Sequence, residues 1–334
     1  MTCRAPLEAA RHESGGKPVV YKRGHRPKTL AEGYQALELP CGQCKSCRLE
    51  KSRVWAVRMT HEIAYWAEFH GLYSIFLTLT YDDAHLPMYG VLVKQDIQNF
   101  MKRLWWKVGT EKLRYYVVGE YGSQCPYHEI VDCPKCGPIQ RPHYHAIIFG
   151  WAAPPSDQEI LGHRDGMVIY KSQIIEDAWK QAGDNGKEII GSHEYSYATF
   201  EACAYVARYI MKKVTGDEHK VADHYCKHIW QTDTWIDMPP EFAMMSKRPG
   251  IGKLYLDEYM HDIYPADEAC VPGRTNVSKP PKYYDQFYEA KNPTDMERIK
   301  QARRKAMAES LVNGPSLKSR AIVEDYRLNM YHRS

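Results

Sequence analysis

The sequence predicts an α+β fold built on an antiparallel sheet, and three observations carry that prediction. Three β-rich runs, "SIFLTLTYDD" (74–83), "LRYYVVGEYG" (113–122) and residues 143–149, lack the regular helical crossovers of a doubly wound parallel sheet. The segment between the second and third runs, 123–142, holds Cys, Pro and Gly, so those two strands are expected to form an antiparallel hairpin with a long insert. Helical periodicity falls before, between and after the runs, giving the order β-α-β-β-α-β-α.

Residues 1–40 are rich in Gly, Pro and basic residues with weak periodicity, and read as an irregular arm. A helix follows over 49–69, where Trp55, Met59, Ile63 and Trp66 are spaced along one stripe. In 74–83, Thr78 and Thr80 alternate with Leu77 and Leu79, a strand with two different faces. Ile97, Phe100, Met101, Leu104, Trp105 and Val108 make 94–108 an amphipathic helix. A helix at 172–182, a short strand near 188–197 and a helix at 199–214 complete the central region. From about residue 270 the chain turns proline-rich, then basic and helical.

The chain has 334 residues, a globular apolar fraction and a formal net charge of +4, so it carries no overwhelming polycationic signal. Its basic residues are bunched, as in "LEKSRVWAVR", "FMKRLWWK", "YIMKKV", "SKRPGIGK" and "IKQARRKA". Such runs are either solvated helix faces or a groove that follows a nucleic-acid backbone. No apolar run approaches the roughly 18 residues of a membrane span, and "MTCRAPLEAARHESGGK" has no signal-peptide core, so neither membrane nor secretion is expected. Six of ten cysteines fall in two short clusters, which in a reduced compartment points to metal rather than disulfides.

"RPHYHAIIFG" (141–150) opens a strand with His143 and His145, whose side chains must share one face. Two such imidazoles can grip one divalent ion, or simply form a polar strand end. Glu120, in "VVGEYG" on the neighbouring strand, turns the pair into a His-His-Glu set with open coordination positions, suited to Mg²⁺ or Mn²⁺. Otherwise it is a surface glutamate. On the 199–214 helix, Phe200, Cys203, Ala204, Ala207, Ile210, Met211 and Val214 form the apolar stripe, and Tyr205, Tyr209 and Lys212 lie opposite. The tyrosines are either two amphipathic residues on a wet face or a pair of nucleophiles. A phenol with a pKa of about 10 needs an activated phosphate or a nearby cation such as Lys212 to attack at neutral pH.

"FLTLTYDD", "GEYG", "RPHYHAIIF" and "AYVARYIMKK", in that order, resemble the HUH endonuclease family, and within it the replication initiators of gokushovirus-like microviruses, small single-stranded DNA bacteriophages. "LPCGQCKSCRLEKSRVWAVRMTHE" and "MSKRPGIG" also match that group, so the likeness covers most of 1–255. It implies an HUH-type central antiparallel sheet flanked by helices, with zinc-binding inserts. It also implies His143, His145 and Glu120 as ligands of Mg²⁺ or Mn²⁺, and Tyr205 and Tyr209 as two nucleophiles. The implied activity is nicking and rejoining of single-stranded DNA at an origin through a 5′-phosphotyrosine link. The free 3′-hydroxyl would prime rolling-circle synthesis, with host helicase and polymerase as partners in the bacterial cytoplasm. Arg141, Lys213, Lys247 and Arg248 are the expected DNA contacts.

"CGQCKSC" places Cys41, Cys44 and Cys47 at C-x2-C-x2-C spacing, either three thiolates for structural Zn²⁺ with one ligand missing or loose cysteines at a turn. Cys3 is the candidate fourth, since the resembled group has a cysteine near its start. Cys125, His128, Cys133 and Cys136 form a second four-ligand set. The resembled initiators have a short turn there, so this insert departs from their pattern. The expected organisation is an N-terminal arm with its cysteine cluster (1–48), an endonuclease domain (49–265, insert 123–142) and a basic helical tail (266–334). No phosphate-binding G-x-x-x-x-G-K-[ST] loop is present, since "RPGIGK" is too short. The competing readings are another HUH enzyme (plasmid initiator, relaxase or transposase) and a non-catalytic zinc-stabilised DNA-binding protein.

Overall fold

A computed structural model describes residues 3–30, 32–109, 113–122, 141–183, 186–209, 213, 218–229, 233–275, 277–316, 319 and 321–326. The chain divides into two compact units, Met1–Lys51 with Glu297–Ser334, and Ser52–Met296.

The first unit is not irregular at its start. Strand β1 (Leu7–His12) pairs antiparallel with β2 (Val19–Val20) and, from Leu7↔Leu39 to His12↔Tyr34, with β3 (Tyr34–Leu39). Only Ala9 and Ala10 of β1 are buried, so the backbone ladder holds this sheet without an apolar alternation that sequence could display. Helix α1 (Lys45–His70) follows, close to the expected 49–69.

In the second unit, β4 (Ile75–Thr80), α2 (Lys94–Val108), β5 (Arg114–Tyr121) and β6 (Pro142–Phe149) lie where periodicity put them. The hairpin of β7 (Glu159–Arg164) and β8 (Met167–Lys171) was not foreseen, although Asp165 and Gly166, both at positive φ, form the two-residue turn that joins it. The helix expected over 172–182 is only α3 (Gln173–Ala178). The buried Trp179 ends it, and β9 (Lys180–Gly183) pairs with β10 (Gly186–Ile189). The strand expected near 188–197 is therefore divided between β10 and β11 (His193–Tyr197).

Thr199 caps helix α4 (Phe200–Arg208), its hydroxyl accepting from the Ala202 N–H. Then come α5 (Glu218–Tyr225), β12 (Cys226–Ile229), β13 (Thr234–Asp237) and β14 (Phe242–Met245). Helix α6 (Lys253–Ile263), β15 (Ala269–Cys270), β16 (Val277–Ser278), α7 (Lys282–Lys291) and α8 (Pro293–Asn313) complete the described elements.

The central sheet has seven strands in the order β14-β5-β6-β4-β11-β8-β7, every pairing antiparallel. One face carries Leu77, Leu79, Val117, Tyr144, Ala146 and Ile148, which pack against Ile97, Phe100 and Leu104 of α2 and Ile175 of α3. The other carries Tyr116, Val118, Ile147 and Phe149 against Ala56 and Met59 of α1 and Ala202, Cys203, Val206 and Ala207 of α4. Strand alternation thus sends His143 and His145 to the α1/α4 face and Tyr144 to the other. The Tyr144 hydroxyl donates to the Val93 carbonyl and accepts from the Val93 N–H, anchoring the start of α2.

On the α1/α4 face Glu62, fully buried, pairs with Arg114 and accepts from the Gly252 N–H at 2.6 Å and Trp66 Nε1 at 3.2 Å. A buried carboxylate needs partners of this kind. The pair ties α1 to β5 and to the turn before α6.

Candidate metal centre and tyrosine pair

The hairpin register sets Glu120 directly opposite His143, and β4 sets Thr80 and Thr78 opposite His143 and His145. Both imidazole Nε2 atoms point at one carboxylate oxygen: Glu120 Oε1 lies 2.5 Å from His143 Nε2 and 3.1 Å from His145 Nε2. The other ring nitrogens are held from behind. His143 Nδ1 faces the Arg141 carbonyl at 3.3 Å, and His145 Nδ1 the Thr78 hydroxyl at 3.0 Å. Donation from Nδ1 leaves each Nε2 lone pair for a ligand, the tautomer that metal-binding histidines take. Glu120 is 2 % exposed, and one donor atom from each of the three residues lies within 4.8 Å of the others. This nitrogen/oxygen donor set, convergent and oriented from behind, fits a divalent cation.

The glycines of "GEYG" have steric reasons that the sequence did not reveal. A Cβ at Gly119 would meet the Phe242 ring at 2.8 Å, and one at Gly122 would meet His143 Cε1 at 2.9 Å. Bulk at either place would push on the strand or on the imidazole.

Both tyrosines reach the same imidazole. Tyr209 stacks on His145 at 5.1 Å and 10°, Tyr205 meets it edge-on at 5.3 Å, and the two phenols are 4.9 Å apart. Phe76 stacks on His145 and also touches Tyr205 edge-on. The helical wheel placed both tyrosines opposite the apolar stripe, but only Tyr205, 40 % exposed, is wet. Tyr209, the C-terminal cap of α4, is buried. Burial first, then the Glu120 charge and Tyr205, hold its phenol far above the usual range, so it stays protonated at neutral pH. The His145 ring covers Tyr209 face to face but meets Tyr205 only edge-on, which a helical wheel does not represent. Lys212 lies outside the described residues.

The expected DNA contacts do not gather at this centre. The Arg141 guanidinium bonds Asp83 at 2.6 Å and the Tyr81 carbonyl at 2.5 Å, close to the histidines. Lys247 and Arg248 are exposed after β14, whose Met245 pairs with Tyr116, and Ser246 bonds Tyr115. That is the far end of β5 from Glu120, roughly 15 Å along the strand at about 3.3 Å per residue. Lys213 is half-buried. Sequence reasoning missed Thr78 as the residue behind His145, although its place on the polar face of 74–83 was the available signal.

In the first unit Cys3, Cys41, Cys44 and Cys47 converge, with one sulfur each inside 4.8 Å of the others. Cys3 and Cys44 are 3.8 Å apart. Backbone N–H groups donate to sulfur from Arg4 to Cys44 at 3.4 Å, from Cys41 to Cys3 at 3.3 Å and from Cys44 to Cys41 at 3.3 Å. Burial opposes ionisation of Cys44, but the N–H groups of Arg4 and Cys47 and the neighbouring thiols outweigh it, bringing the thiol to about 6. Burial beside Cys44 pushes Cys47 to about 12. Four sulfurs surrounded by donated N–H groups fit Zn²⁺. The second expected set, Cys125, His128, Cys133 and Cys136, lies outside the described residues. No described helix is long and apolar enough to cross a membrane.

Residues 74–214, which carry this centre, match the family model for replication-associated proteins of the ORF2 type. The chain is 28 % identical over 300 residues to the replication-associated protein VP4 of Bdellovibrio phage phiMH2K, a match covering 88 % of this chain and 79 % of that protein. It is 27 % identical over 341 residues to the replication-associated protein ORF2 of Spiroplasma virus 4, covering 97 % and 92 %. No solved structure matches. Over most of its length the chain is therefore similar to phage replication-associated proteins, and its residues 74–214 carry the pattern of the ORF2-type replication-associated family, in agreement with the resemblance its motifs display.

Proposed function

We propose that the protein initiates rolling-circle replication of a phage genome by nicking and rejoining single-stranded DNA through tyrosine. The observation that supports this most is the meeting of two tyrosines on the imidazole of a His-His-Glu set whose donor atoms converge. Mg²⁺ or Mn²⁺ bound to Glu120, His143 and His145 would supply charge relief at a non-bridging phosphate oxygen. Tyr205 and Tyr209 are the nucleophiles, four residues apart at one end of α4, so both reach one phosphate site in turn. The phenol oxygen attacks phosphorus, the bond to the 3′-oxygen breaks, and the phenol proton is made up on that oxygen. The bond energy is kept in the phosphotyrosine, so rejoining needs no nucleotide. Lys212 is assigned as the cation assisting the phenols, and Arg141, Lys213, Lys247 and Arg248 as backbone contacts that position DNA. Cys3, Cys41, Cys44 and Cys47 are assigned to structural zinc, as are Cys125, His128, Cys133 and Cys136.

The test uses the full chain, Mn²⁺ and a pool of random-sequence single-stranded oligonucleotides, with covalent protein–DNA adduct as the readout. Tyr205→Phe/Tyr209→Phe should form none, and His143→Ala/His145→Ala should form none while still binding DNA. Undiminished adduct from the double-histidine variant in EDTA would overturn the metal assignment, and adduct from the double-tyrosine variant would overturn the nucleophiles.

A further inference from the structure

The nuclease reading treats the two tyrosines alike, but their surroundings differ. Tyr209 is 6 % exposed, stacked on His145 and set against Glu120. Tyr205 is 40 % exposed on the open part of the same face. Register carries that face outward from the metal centre: His145 opposes Thr78, and Thr78 opposes Glu194 on β11. Glu194 then holds Arg164, from the end of β7, by a two-pronged contact of 2.5 Å to Nη1 and 3.1 Å to Nη2. The Arg164 side chain is 62 % exposed and that of Glu194 is 31 % exposed. A pair this exposed contributes little to folding. What it does achieve is to fix a guanidinium fork, with further N–H donors still available, beside the catalytic face. Glu194 above all, then Asp165 and the Tyr205 phenol, strengthen Arg164's hold on its proton, so the guanidinium stays charged. Phosphate is the ligand that such a fork recognises best.

Resting on the nuclease reading, we propose that Arg164, held by Glu194, binds the DNA phosphate attacked by Tyr205 and so makes Tyr205 the nucleophile of the opening cleavage. Tyr209 is left for the return transfer. In the opening step the Tyr205 Oη–P bond forms as the P–O3′ bond breaks, and the 3′-oxygen gains the proton the phenol loses. No co-reactant is needed.

The experiment maps the adducted peptide by mass spectrometry after a single turnover of the two-tyrosine protein with the random single-stranded pool and Mn²⁺. Adduct should sit mainly on Tyr205. In Arg164→Ala the ratio of Tyr205 to Tyr209 adduct should fall about tenfold, the effect of one charge-assisted hydrogen bond. Arg164→Lys, which restores the charge without the fork, should recover part of that ratio. Thermal unfolding of both variants should match the parent, because the side chain is exposed. Adducts whose ratio does not respond to Arg164→Ala, or that sit mainly on Tyr209 in the parent, would overturn this assignment and leave the nuclease reading standing. No adduct on either tyrosine would overturn both.

Discussion

Replacing Thr78 by Val removes one hydrogen bond and keeps the side-chain volume. The Thr78 hydroxyl is 3.0 Å from His145 Nδ1 and holds that side of the ring. Loss of such a partner behind a metal-ligating histidine weakens metal binding by about 10–100-fold. The low end applies here, because the His145 ring is already clamped between Phe76 at 5.6 Å and Tyr209 at 5.1 Å. Stacking holds the ring plane, and the in-plane angle is left to Thr78. Thr78→Val should therefore weaken Mn²⁺ affinity by about tenfold, or about 1.4 kcal/mol. Thr78→Ser should keep nearly all of it. Valine suits a strand, so folding stability should change by less than about 1 kcal/mol. Free Mn²⁺ measured by electron paramagnetic resonance in a titration of each variant reads the affinity directly. Equal affinity in parent and Thr78→Val would refute the view that Thr78 orients a metal ligand.

Glu62→Ala should destabilise the second unit by about 3–5 kcal/mol in urea unfolding, since it strands the buried Arg114 guanidinium; a change under about 1 kcal/mol would contradict that burial argument. Acid should weaken the same unit between about pH 6.5 and 4. His61 and His193 are each held down to about 4, first by burial, and the unfolded chain takes up their protons at higher pH than the fold does. Their stabilising contribution is whole above about pH 6.5 and shrinks as pH falls toward 4, by about 3 kcal/mol for His61 alone, so a urea midpoint flat across that window would count against it. Chelating the metal proposed at the four-cysteine set should free the C-terminal segment of the first unit. The Arg4 backbone donates to Cys44 while its guanidinium holds Glu324 and Asp325, so chelation or Cys44→Ser should speed proteolysis near 319–326. Unchanged cleavage kinetics would separate the two contacts.

The sequence by itself determined the central strands, helices α1 and α2, the shared face of His143 and His145, and the run of Cys41, Cys44 and Cys47, while Cys3 came from the family resemblance. Each of these is written in local spacing: a period of two for the strands, a period near 3.6 for the helices, and ligand spacing for the cysteines. Tertiary structure decided what depends on neighbours distant in the chain. The β7–β8 hairpin has a local Asp165–Gly166 turn, but its place at the sheet edge is set by Tyr170 opposite Tyr195 of β11. Residues 180–183 form a strand instead of continuing α3, because Trp179 is drawn into the core and bonds the Thr80 carbonyl. Tyr209 is buried and Tyr205 is not, although a helical wheel treats them alike. Tyr209 lies flat on the His145 ring whereas Tyr205 meets it edge-on, and a one-dimensional period cannot encode that contact.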